Sequence, residues 1–101
     1  MSYDQVEKAV YEWAHEKGIY THSSPIDQFD GKLLEEVEEL KQAILKDNKE
    51  EVKDAIGDIQ VVLKNIATFY GLTNTECFAH AYGVISSRKG RMVDGVFVKD
   101  E

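Results

Sequence analysis

Apolar residues recur along this chain at helical spacing in four successive stretches. Val6, Ala9, Val10, Trp13 and Ala14 fall at i, i+3, i+4, i+7 and i+8, one stripe of an amphipathic helix that puts Trp13 in the core. Gly18 supplies a stop, and Thr21 to Pro25 is expected as a loop, with Ser24 as N-cap and Pro25 as the first residue of the next helix. That helix carries Phe29, Leu33, Val37, Leu40 and Ile44. Lys46-Asp47-Asn48-Lys49 makes a turn, and a third stripe runs through Val52, Ile56, Ile59, Leu63, Ile66 and Tyr70 to Gly71. Thr73 with Glu76 forms a capping box for a fourth helix bearing Phe78, Ala81, Tyr82 and Ile85. Beyond Gly90 the period changes to two, around Asp94-Gly95, which marks a β-hairpin. The expected fold is a single all-α domain over residues 1–101. It is an antiparallel bundle of about four helices ending in a short hairpin at 90–98.

Two acidic clusters interrupt the second and third stripes: Glu35-Glu36-Val37-Glu38-Glu39 and Asp54-Ala55-Ile56-Gly57-Asp58. At about 100° per residue, Glu36 lies about 60° and Glu39 about 120° from Leu33, on one shoulder of the apolar stripe. On the third helix Asp58, Asn65 and Asp54 lie within about 40° of one another beside the seam of Ile59. Folded back by the short turn, the two strips converge. Facing carboxylates repel unless a cation lies between them, and hard divalent ions prefer such oxygen ligands. The plainer alternative is a solvated face, with Lys32, Lys41, Lys53 and Lys64 supplying surface pairs. Against it, four glutamates within five residues repel one another.

Charge and cysteine content narrow the function classes. Nineteen acidic against twelve basic residues give a formal charge of -7, which argues against nucleic acid or an anionic membrane as partner. A small anionic substrate remains open, because a bound metal reverses the local sign. The single cysteine, Cys77, permits no intrachain disulfide. With no apolar run of spanning length, a cytoplasmic protein is expected. At 101 residues a lone core is modest, so a homodimer or homotetramer is expected, with the Met92–Val98 hairpin as a clasp.

Leu33-Leu34-Glu35-Glu36-Val37-Glu38-Glu39-Leu40, followed by Asp54-Ala55-Ile56-Gly57-Asp58-Ile59, resembles the MazG-like all-α nucleoside triphosphate pyrophosphohydrolases, especially the small stand-alone members of bacteria and phages. The family signature is EExxE, a spacer, then ExxD. Glu35, Glu36 and Glu39 match its first half and Asp58 the end of its second, while Ala55 stands where the second Glu belongs. Asn65 matches a family Asn, and the likeness runs on weakly into Arg88-Lys89-Gly90-Arg91 and the hairpin. The resemblance implies Mg²⁺-dependent (Mn²⁺ as a substitute) hydrolysis of a nucleoside triphosphate to monophosphate and pyrophosphate, possible work being the cleaning of nucleotide pools. It implies Glu36, Glu39 and Asp58 as metal ligands, with Asp54 standing in for the missing Glu, and Glu35 or Glu36 as the base that activates water. Asn65, Arg88, Lys89 and Arg91 are the candidate substrate contacts. A catalytically weak nucleotide and Mg²⁺ sensor, and a non-enzymatic helical interaction module, stand as alternatives.

Overall fold

Helix-start chemistry falls where the sequence places it. In a computed structural model covering residues 1–101, Ser2 caps α1 (Tyr3–Glu16) in a capping box with Gln5. The left-handed Gly18 (φ 80°) ends that helix. The chain does not then loop. It makes a single turn, α2 (Ile19–His22), because the Gly18 carbonyl accepts from the backbone N–H of His22. Ser24 accepts from the Asp27 amide and Pro25 opens α3 (Pro25–Gln28), as expected. A π-helical turn over Phe29–Leu33 joins α3 to α4 (Leu34–Leu45), so the expected second helix is one rod with an offset inside it. Asp47 (φ 52°) and the N-cap Asn48 reverse the chain into the longest helix, α5 (Lys49–Phe69). Gly71 (φ 70°) closes α5, and Thr73 and Glu76 form the expected capping box of α6 (Asn74–Ile85). Strands β1 (Gly90–Val93) and β2 (Val96–Lys99) pair antiparallel around Asp94 and Gly95, both with positive φ, the turn that Asp-Gly favours.

α4 and α5, joined by a tight turn, form the most extensive helix pair, α1 packs on α5, and α6 touches both α1 and α5. The core is thin. The buried apolar residues are Ala14, Ala43, Ala55, Val62 and Ala67, and no large side chain is fully enclosed. Small residues at the contacts let the backbones approach closely while the bulky ones splay outwards. Trp13, expected inside, is 48% exposed, and Glu7 and Ala14 are the buried residues of α1 instead.

The stripes are therefore rotated from their expected seams. On α4 the buried positions are Glu36 and Ala43, about 60–80° round from Leu33. On α5, Ala55 and Val62 sit about 40–60° from Ile59 in the direction of the acidic strip. α4 thus packs on the polar side of its stripe, and the α5 face that holds Ala55 and Val62 does the same, while Lys64 and Ala67 are buried on the far side of α5. Val37, Ile44, Ile56 and Leu63 are left exposed. The radius of gyration is 15.8 Å, against about 13 Å for a compact chain of this length.

Candidate metal and phosphate site

The rotation of α4 carries Glu36 from the shoulder of its stripe into the seam. Its side chain is 7% exposed, and Oε2 is enclosed with no hydrogen-bond partner. Glu39, one turn along, and Asp58 from α5 close on it, so that one carboxylate oxygen from each lies within 4.8 Å of the other two. Burial, followed by the negative charges of Glu39 and Asp58, raises the Glu36 carboxyl above its ordinary value of 4.5, with Lys32 drawing it back. Such an arrangement is unfavourable in isolation: three acceptors converge and one of them is desolvated. It is the donor set that a small hard dication requires, all oxygen and open on one side.

Next to the triad lies a polar basin of about 400 Å³, lined by Glu38, Glu39, Glu51, Asp54 and Asp58 with Lys46 at its edge. Asp54 is thus beside the site but outside the oxygen triad. Ala55 is 3% exposed and borders the same basin. Glu35 is exposed, about 100° round α4 from Glu36. Asn65 is 2% exposed, and its Oδ1 accepts from the Tyr20 hydroxyl at 3.0 Å. Tyr20 is itself held between Tyr11 (stacked, 5.4 Å) and Phe69 (edge-on, 5.6 Å). The lower end of the α5 polar strip therefore faces the basin while its upper end is bound into the α1–α2–α5 packing. Arg88, Lys89 and Arg91 stand after α6, and neither hairpin strand has a Cα within 8 Å of any helix. None of the three is ion-paired with a carboxylate.

Of the lysines that could have neutralised the acidic faces, Lys53 pairs only loosely with Glu50 (4.0 Å, exposed) and Lys46 with Glu51 (3.4 Å). Lys64 is buried and lies 3.5 Å from Glu7. Glu7 accepts from the Asn74 and Thr75 amides and the Thr75 hydroxyl, anchoring the N-terminus of α6 to α1. Lys64, expected to supply a surface pair, is instead buried against Glu7, a residue that did not stand out in the sequence. The available signal was Glu7 seven residues before Ala14, two turns up the same face.

Three carboxylates on two packed helices make an oxygen site fit for a hard dication, and the chain is a member of the MazG-like all-α superfamily. Residues 7–82 match the model of the phosphoribosyl-ATP pyrophosphohydrolase family, and the chain belongs to that family. It is also similar to an uncharacterized 18.2 kDa protein in the rep-hol intergenic region of Haemophilus phage HP1 (strain HP1c1), 36% identical over 63 residues. That match takes in 62% of this chain and 38% of the phage protein, so the chain spans well under half of that relative. No solved structure matches. No helix is long and apolar enough to cross a membrane.

Proposed function

We propose that the chain hydrolyses a nucleoside triphosphate, or a nucleotide built on one, to the monophosphate and pyrophosphate in a Mg²⁺-dependent reaction. Water attacks the α-phosphorus, the bond to the bridging oxygen breaks, and pyrophosphate leaves with the bonding electrons. The observation that carries this reading is Glu36, whose Oε2 is enclosed without a partner and whose carboxylate belongs to the oxygen triad. Glu36, Glu39 and Asp58 would hold the ion, with Asp54 in support from the basin. Bound there, Mg²⁺ (or Mn²⁺) supplies charge neutralisation for the polyphosphate and the leaving pyrophosphate.

Between the two candidate bases, Glu36 fits better than Glu35. It lies in the site, whereas Glu35 is exposed about 100° round α4. Asn65 would act indirectly, by fixing Tyr20 and the upper wall of the site.

Association supports the same reading. The exposed shoulders of Val37, Ile44, Ile56 and Leu63 fit a homodimer or homotetramer, with Arg88 and Lys89, unpaired within one copy, as the phosphate contacts that assembly would place.

The deciding experiment measures pyrophosphate release over a panel of ribo- and deoxyribonucleoside triphosphates and phosphoribosyl-ATP, with Mg²⁺ and with EDTA. Turnover of a triphosphate that EDTA abolishes is expected. Metal-dependent binding without turnover would replace the enzyme by a sensor. Neither binding nor turnover would leave an interaction module.

A further inference from the structure

The C-terminal hairpin is the least satisfied part of the molecule. A two-stranded sheet alone is barely stable in water and needs a surface to pack on. Here neither strand has a Cα within 8 Å of a helix. Residues opposite one another share a face, so Arg91, Val93, Val96 and Val98 line one side and Met92 and Phe97 the other. Part of the second side is covered already, because the Phe97 ring lies over the backbone of Gly90. Both sides are otherwise open, with Met92 and Phe97 65% and 47% exposed and Val93, Val96 and Val98 39%, 63% and 47%, but the valine side presents more apolar residues, together with a cation, Arg91.

A surface of matching size lies elsewhere in the same chain. α6 and the start of α1 enclose an apolar groove of about 510 Å³, lined by Tyr3, Phe78, Tyr82 and Ile85, with Asp4 and Thr75 at one end. Phe78 is 77% exposed and Tyr82 65%. From Thr75 to Ile85 the groove follows α6 for about 15 Å, and a four-residue strand is about 13 Å long.

We propose that two copies of this chain exchange hairpins, the valine face of each seating in the α6 groove of the other. The hairpin already stands clear of its own body, and only the four residues Ser86–Lys89 link it to α6, little chain with which to turn it back along the groove. A second copy related by a two-fold axis takes it without that bend, and a reciprocal exchange forms two identical junctions.

Charge agrees with the pairing. Residues 1–85 carry sixteen acidic and eight basic side chains, whereas residues 86–101 carry three and four. A weakly cationic arm thus meets a strongly anionic body, with Arg91 on the docking face and Asp4 in the groove. Area agrees as well. The rings of Tyr3, Phe78 and Tyr82 expose on the order of 400 Å². With the partner's view of the valine face added, each copy approaches the ~800 Å² of a specific interface.

The exchange rests on the association inferred above but not on the catalytic reading, and two variants separate them. Phe78→Asp damages the groove, and Val96→Asp damages the hairpin. Both side chains are exposed, so helix content by circular dichroism should stay at the parent level. In sedimentation, each variant alone is expected to drop to the next smaller species or to dissociate at least tenfold more readily. Mixed in equal amounts, the two variants should associate more tightly than either alone, because one sound hairpin then meets one sound groove. A hairpin folded into its own groove, or assembly through another face, gives no gain on mixing and overturns the exchange, as does an assembly that ignores both substitutions. A parent chain that stays monomeric at micromolar concentration overturns the association as well, while Mg²⁺ binding by the same samples reports on the catalytic reading separately.

Discussion

Glu36 is the residue on which function and stability pull in opposite directions. Its carboxylate is enclosed, unpartnered, and next to two further negative charges. Its folded pKa lies above 4.5, so the metal-free chain is penalised wherever Glu36 is ionised, and the penalty vanishes once the pH falls below 4.5. Glu36→Gln should therefore stabilise the metal-free protein by about 1–2 kcal/mol near neutral pH. It should also weaken Mg²⁺ binding at least tenfold. Urea unfolding at two pH values with calorimetric Mg²⁺ titration checks both; an unchanged affinity would remove Glu36 from the site.

Glu7 shows the opposite sign. Burial alone raises its carboxyl, but the Thr75 hydroxyl, the Asn74 and Thr75 amides and Lys64 outweigh burial and leave it below 4.5. Its stabilisation is fully present above pH 4.5 and fades as the pH falls towards the lowered folded value. Glu7→Gln leaves Lys64 buried without its anion and should cost about 2–4 kcal/mol at neutral pH, with a smaller cost in acid. An unfolding midpoint equal to the parent's at pH 7 would contradict this.

At the scale of elements, helix ends were legible in the sequence because they depend on local chemistry. Ser24-Pro25, Thr73 with Glu76, and Asp94-Gly95 each do in the fold what their side chains permit in isolation. Helix faces were legible only to within about 60°, because the apolar stripes are wide and period alone cannot say which edge of a stripe meets its neighbour. The small residues Ala14, Ala43 and Ala55 decide that, and alanine carries little weight in an apolar pattern. The acidic triad could be found despite this error, since the rotation brought Glu36 nearer to Asp58. The π-turn at Phe29–Leu33 had no readable signal. In the hairpin, Gly90 lacks a side chain for a definite reason: a Cβ there would run into the Val98 carbonyl and the Phe97 ring. Gly90→Val should disorder the pairing of Met92 with Phe97, seen as loss of their cross-strand nuclear Overhauser contacts, with helix content unchanged.

Across the whole molecule, bulky apolar side chains lie outside and small ones inside. On the proposed association, covering Phe78, Tyr82, Ile44 and Val37 would add to the stability of the chain. Its melting temperature should then rise with protein concentration, by several degrees over a hundredfold range, as mass action requires when folding and assembly are linked. A melting temperature independent of concentration would mean that the folded monomer stands alone.

Ala55 has a consequence for how the protein lives with its metal. A glutamate at that position would enter the basin beside Asp54 and Asp58, a further negative charge in a place 3% exposed. Ala55→Glu should lower metal-free stability by about 1–3 kcal/mol, and Mg²⁺ should restore more stability to it than to the parent, as paired thermal melts would show. With alanine in place the folded state leans less on the ion. On the proposed reading, alanine here trades tenacity for independence: the fold would need the ion less and would release it more readily.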